Sequence, residues 1–366
     1  MTQALTGSAK GNRLAWIDYA RGIAIILVLY RHIFEGITRS GVDAAEYQWL
    51  ENANIIFYSF RMPLFFILSG IFIAKSLAKR DLGGLIRNKF SILLYPYLLW
   101  SFIQITIQFA LSGYVNADRS WADYGYVFLY PRRIDQFWYL YALFNVTVLY
   151  IIARERLKMK VGAQLALGAV LYMLSSYVSV HKIDLGFLYD ICHYYVFFAI
   201  GELVADKMLD QTKYPLYSSW KVFLVMLPVF VIGQWYFLQA NLEHGSTLYV
   251  EEYQPILFAV IALTGCASML SLSFLLQRYD ALKPLKIAGY HSLYIYVSHV
   301  LVASAARMVL VKIFGVTSVP VLLAICLPLA VVVPILLYKF AMRIGAWWLY
   351  SLERPALKPA ASLKMK

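Results

Sequence analysis

Two side chains suited to proton and charge chemistry stand in the first long apolar run of the chain. The stretch DYARGIAIILVLYRH (18–32) carries Arg21 and His32, eleven positions apart. At about 100° per residue that spacing is roughly three helical turns, so the two share one face and stand about 16 Å apart along the axis. Ile25 and Val28 lie on the stripe between them. An imidazole titrates near neutral pH and can take a proton from a hydroxyl, and a guanidinium fork suits phosphate. Ionisable groups inside a membrane helix are costly and face a partner or a cavity. Two on one stripe therefore predict a path through the protein from one side of the bilayer toward the other. The plainer reading is an Arg21 that snorkels to the headgroups, paired with Asp18 one turn away, and a His32 held by a hydrogen bond at the interface.

The elements that position these residues are membrane helices. The 366 residues are 61% hydrophobic and 14% charged, against about 25% charged for a soluble chain. Ten apolar runs of spanning length are expected, at 16–35, 54–75, 90–111, 136–153, 162–180, 190–204, 220–240, 254–276, 288–313 and 319–338. The expected fold class is all-α: a polytopic integral membrane protein of about ten transmembrane helices, read as one domain over 1–366. Residues 1–12 read as a flexible cytoplasmic tail and 353–366 as a second one. An amphipathic piece at 339–352, with Trp347 and Trp348, is expected to lie at the interface. The first apolar run is too long and too charged for a cleavable signal peptide. Cys192, Cys266 and Cys326 all fall in apolar runs and read as small core residues, and no spacing reads as a metal site.

Charge sets the orientation. With the N-terminus in the cytoplasm and the runs alternating, 23 of the 33 basic residues fall on the cytoplasmic side. Six fall outside: Arg39, Arg119, Arg132, Arg133, Lys182 and Lys312. That split predicts cytoplasmic termini and an even number of spans. It also accounts for the net charge of +13 through topology and attraction to anionic lipid, so nucleic acid is not expected as a partner. Arg21 then sits in the inner part of the first helix and His32 in its outer part. Arg61, in the middle of the second run, needs a polar partner, for which Glu202 is the candidate.

Beyond these patterns, the chain resembles the membrane-bound acyltransferase-3 family over nearly its whole length. The motifs that carry the resemblance are Arg21 and His32 with ten residues between them in DYARGIAIILVLYRH; MPLFFILSGIF (62–72); RNKFSILLYPYLLW (87–100); FWYLYALF (137–144); and GYHSLYIYVSH (289–299). LLYPYLLW is most similar to the fucose-4-O-acetylase-like branch. Many members carry two arginines three apart ahead of the third span. Here Arg87 is followed at that offset by Phe90, with Lys89 as the nearest substitute.

The resemblance implies a membrane O-acyltransferase. It would move an acyl group, acetyl by preference, from cytoplasmic acyl-CoA to a hydroxyl of an extracytoplasmic carbohydrate or lipid-linked sugar. The location implied is a bacterial cytoplasmic (inner) membrane. Acyl-CoA would be a donor substrate, and no permanently bound cofactor is expected. In this reading His32 is the general base, Arg21 meets a phosphate or the polar arm of the donor, and Arg87 and Lys89 bind donor phosphates. Asp18, Ser69, Trp138, Tyr139 and His299 are further pocket candidates. Ser69 could equally serve helix packing beside Gly70, and Trp138 and Tyr139 could belong to the interfacial aromatic belt. His299 reads as a hydrogen-bonding pocket residue. The rival class is a secondary transporter or exporter of a glycan-related substrate. It shares the many spans and buried charges but calls for repeated halves and broken helices at matching positions, and the sequence displays no convincing repeat.

Overall fold

The computed structural model describes residues 14–111 and 119–354. The expected N-terminal tail, 1–12, and all of the C-terminal tail beyond residue 354 lie outside the described residues. Within them the chain is helical, with no strand. Helix α1 spans Ala15–Thr38. A broken segment follows, made of α2 (Gln48–Ile56), α3 (Tyr58–Gly70) and α4 (Ile73–Leu77). The third crossing runs from α5 (Leu82–Lys89) through a π-helical turn at Phe90–Leu94 into α6 (Tyr95–Ala110). Then come α7 (Ala122–Leu129), α8 (Trp138–Glu155), α9 (Val161–Val180), α10 (Phe187–Leu209) and the short α11 (Tyr214–Tyr217). The chain closes with α12 (Trp220–Glu243), α13 (Tyr249–Tyr253), α14 (Pro255–Tyr279), α15 (Lys283–Tyr290), α16 (Ser292–Met308) and α17 (Val319–Arg343).

Among the described residues, nine helical segments are long and apolar enough to cross a membrane. The protein is an integral membrane protein. Helix α1 is not among the nine, because any 18-residue stretch of it holds at least three of Asp18, Arg21, Arg31 and Glu35. It is still 24 residues long, about 36 Å at 1.5 Å per residue, which exceeds the hydrocarbon thickness of about 30 Å. It packs along α3, α14, α16 and α17 as the tenth long helix of the bundle. Its charges are tolerable because protein surrounds it, with Trp16, Tyr19, Ala20, Ala24, Ile25 and Leu29 fully buried. Helix α12, by contrast, bares Leu224, Val225, Ile232 and Trp235, the side chains expected of a helix facing lipid.

Two close helix approaches rest on glycine. A methyl group on Gly22 of α1 would overlap the Leu285 carbonyl of α15, and one on Gly289 would overlap the Asp18 carbonyl. Gly70 of α3 and Gly201 of α10 meet in the same way, against the carbonyls of Phe198 and Ile67. Small residues let backbones approach where lipid supplies no hydrophobic drive to associate.

Several expected boundaries change. The second run begins at Ala45 and breaks at Phe57. The run expected at 190–204 is the full 23-residue helix α10. The run expected at 288–313 is interrupted at His291, between α15 and α16. The expected amphipathic piece at 339–352 is divided between the end of α17 and a turn. Helix α17 continues to Arg343, the chain turns at Gly345 (φ 78°), and a short turn at Trp347–Leu349 docks on α6. There Trp100 Nε1 donates to the Leu349 carbonyl at 2.7 Å, and the Glu353 amide donates to Ser91 Oγ at 3.0 Å. These polar contacts give the segment a protein partner.

Candidate active site

A cavity of about 190 Å³ opens between α1, α3, the α5–α6 crossing, α8 and α16. Its polar wall is Arg21, Ser69, Lys89, Tyr139, Thr147, Ser292 and Tyr296, and its apolar wall includes Ile25, Phe65, Ile92 and Leu143. Four of the residues singled out in the sequence, Arg21, Ser69, Lys89 and Tyr139, thus meet in one place. The charges of Arg21 and Lys89 act on one another across it. Two cations beside a cavity with no carboxylate in its wall favour an anionic ligand.

Local backbone explains Lys89. Pro96 has no N–H to offer the Ile92 carbonyl, and its ring crowds that carbonyl, so the helix widens into the π turn at Phe90–Leu94. Lys89, Ile92 and Leu93 then share the side that faces the cavity. Arg87 does not join them. Its side chain is 79% exposed, with Nε 3.5 Å from the Glu353 carboxylate. The remaining polar wall is held by neighbours. Ser69 Oγ donates to the Phe65 carbonyl at 2.8 Å, and Tyr139 bonds to Ser69. The Tyr296 hydroxyl donates to the Gln136 carbonyl. Thr147 Oγ1 is buried, lines the cavity and has no hydrogen-bond partner. Thr147, Ser292 and Tyr296 were missed in the sequence, although Ser292 and Tyr296 lie inside the GYHSLYIYVSH motif.

His32 lies outside this cavity. It lines a narrow crevice with Ile33, Val300, Ala303, Ser304 and Arg307, and its ring centroid is 5.4 Å from that of His299. His299 is fully buried, and its Nδ1 is 2.8 Å from the Tyr296 carbonyl and 3.2 Å from that of Ile295. Carbonyls only accept, so Nδ1 carries the proton. Nε2, which has no hydrogen bond, is left with a lone pair. Tyr296 faces the cavity one turn before His299, and Ile25 faces it two turns before His32. The two helices therefore carry the cavity wall and the histidine pair in register.

The other candidates diverge. Asp18 is buried where α1 meets α15, outside the cavity wall. Trp138, next to Tyr139, points elsewhere: its ring lies 4.5 Å below the Arg132 guanidinium and stacks on Tyr194 at 5.6 Å. The expected Arg61–Glu202 pair is not formed. Arg61 donates to the Leu27 carbonyl at 3.3 Å and to Asn54 Oδ1 at 3.4 Å, while Glu202 takes the Tyr150 hydroxyl and stands 3.5 Å from Arg154. Glu202 lies at the Arg154 end of α8 and Arg61 near the opposite ends of the helices, so the pair is sterically out of reach. Near Trp138, burial pushes the Glu251 carboxyl on α13 above the usual carboxylate range, against the pull of Tyr58, Arg132 and Arg31.

The acyltransferase-3 family model, described as an acyltransferase domain, matches residues 14–339. Two curated relatives are both named nodulation protein NolL. The one from Mesorhizobium japonicum is 27% identical over 137 residues, 37% of this chain and 35% of the relative. The one from Sinorhizobium fredii is 23% identical over 218 residues, 59% of this chain and 57% of the relative. The chain thus spans between about a third and somewhat over half the length of these relatives. No solved structure matches it. With the model running from the start of α1 to the last turns of α17, the chain belongs to the acyltransferase-3 family.

Proposed function

We propose that the protein is a membrane O-acyltransferase that takes an acyl group, acetyl by preference, from cytoplasmic acyl-CoA. The acceptor in this reading is a hydroxyl of a carbohydrate or lipid-linked sugar on the other side of a bacterial inner membrane. The observation that carries the reading is the layout along α1. Arg21 and Lys89 face one cavity at the basic end of the bundle, and the His32–His299 pair stands about 16 Å further on.

In this reading Arg21 and Lys89 hold donor phosphate or the polar part of the pantetheine arm, and the thioester extends along α1 toward His32. His32 takes the proton of the acceptor hydroxyl as its oxygen bonds to the thioester carbon. The C–S bond then breaks, CoA leaves as the thiolate, and the thiolate takes up a proton. Direct transfer fits better than a serine acyl-enzyme. Ser69 Oγ donates to its own helix and has no histidine among the residues around the cavity.

The test is thioester cleavage by membranes containing the protein, followed with labelled acetyl-CoA. Acetyl transfer to extracted glycan that depends on His32 supports the reading. Binding of a glycan with no thioester consumption under any condition would move the protein to the transporter class.

A further inference from the structure

The arginines in the half of the bundle that holds His32 are not all balanced. Arg119 is paired with Asp123 and Asp135, Arg132 with Asp190, and Arg133 with Asp184. Arg39 and Arg307 have no carboxylate partner among the described residues, and the Arg307 guanidinium makes no hydrogen bond there. Glu35, the acid one turn before Arg39, is already taken by Arg31 at 2.6 Å. A snorkelling arginine would extend to the headgroups, but Arg307 of α16 lies against α1. A methyl group on Gly36 would come within 2.2 Å of its Nη1, and its charge acts on the buried Cys326 of α17. A guanidinium held among membrane helices with no counter-ion is costly and calls for a partner. Gly36 and Arg39 stand one and two turns beyond His32 on the same stripe of α1, so both free guanidinium groups border the His32 crevice on its outward side.

We propose that Arg307 and Arg39 form a phosphate site at the mouth of this crevice, and that the phosphate is carried by a membrane lipid. A guanidinium presents paired donors that match phosphate oxygens. Ser304, one turn before Arg307 on the same wall, adds a hydroxyl donor. The floor of the crevice has room for about 10 Å³, a single water, so the anion sits at the mouth, where His32, Ser304 and Arg307 are half-exposed. The flanks are apolar. Val309, Ile313 and Phe314 beyond Arg307, and Val321 and Ile325 on α17, are bare and give lipid chains a surface to lie on. Arg307 is about 9 Å of helix from the end of its span at Ile313, within a long side chain's reach of the headgroup layer. A soluble anion would have no use for these flanks. Two kinds of lipid carry the required group, a glycerophospholipid and a polyprenyl diphosphate, and the site recognises the phosphate they share.

The test measures binding alone, so failure of the acyltransferase reading would leave it standing. The full chain is stripped of lipid in dodecyl maltoside, a detergent without phosphate. Dioleoylphosphatidylglycerol, undecaprenyl diphosphate and, as a phosphate-free control, diolein are titrated in, and native mass spectrometry counts the bound lipid. The expected result is that at least one phosphate lipid binds at least tenfold more tightly than diolein. Arg307→Gln should weaken that binding at least tenfold and Arg39→Gln at least threefold. Arg133→Gln, which removes an outer arginine that has a carboxylate partner, should stay within twofold of wild type. Tighter binding of the diphosphate identifies a lipid carrier as the occupant, and tighter binding of phosphatidylglycerol identifies a bilayer lipid. Neither lipid exceeding diolein overturns the site, as does binding unchanged in Arg307→Gln. A loss in Arg133→Gln equal to that in Arg307→Gln would reveal diffuse surface attraction and overturn it too. Arg39 is exposed at the end of α1, so its variant decides the matter if Arg307→Gln fails to fold.

Discussion

The imidazole rings of His32 and His299 stand 5.4 Å apart, one on each of two helices that also wall the same cavity. The Nδ1–H of His299 is committed to the carbonyls of its own helix, so the pair has one ring tied down and one, His32, at a crevice. His32→Ala should lower acyl transfer by about 10²–10⁴, the range for loss of a general base, while CoA binding stays near wild type. Acetylation in cells measured beside CoA affinity of the purified variant checks this. A rate within a few-fold of wild type would make His32 structural and turn attention to His299.

Lys89 and Arg87 are two residues apart and should behave differently. Lys89→Met removes a cation from the cavity wall. It should weaken CoA binding about 10- to 100-fold, the value of a charge-assisted hydrogen bond of about 1.5–3 kcal/mol. Arg87→Met breaks only an exposed pair with Glu353 and should leave CoA affinity within about twofold. Titration of CoA into each purified variant decides, and equal losses would put Arg87 in the donor site as well.

The glycine contacts predict opposite signs for one kind of substitution. A methyl group on Gly70 meets the backbone of α10, whereas one on Gly162 meets nothing within 4 Å. Gly70→Ala should destabilise by about 1–3 kcal/mol, the usual cost of overpacking. Gly162→Ala, in the first turn of α9, should stabilise slightly, by up to about 1 kcal/mol. Thermal unfolding in one detergent measures both, and a lower melting point for Gly162→Ala would contradict the packing described here.

Orientation can be checked by labelling. A single cysteine between residues 243 and 252 should react with an impermeant thiol reagent in intact cells, and one between 154 and 160 should react only after permeabilisation. The three native cysteines are buried and give little background. Labelling of the 154–160 position from outside would invert the bundle and place the Arg21–Lys89 cavity on the wrong side for the proposed CoA donor.

Much of the architecture is legible in the residue order because it rests on local geometry. A helix turns by about 100° per residue whatever surrounds it, so Arg21 and His32 share a stripe of α1 from spacing alone. Runs of about 20 apolar residues must cross a bilayer as helices, since no other structure made of one segment satisfies its backbone there. Tertiary structure decided the rest. The widened turn before Pro96 sends Lys89 inward while Arg87 reaches Glu353. Adjacent Trp138 and Tyr139 part because neighbouring positions on a helix lie about 100° apart, and only packing tells which faces the cavity. Thr147, Ser292 and Tyr296 are unremarkable in sequence and become a polar wall only where α8 and α16 meet α1. Arg132, Asp190 and Glu251 come from three separate segments, all in stretches that read as ordinary polar loop or helix start. Their association is a long-range event, set by which helices pack together, and no local pattern encodes it.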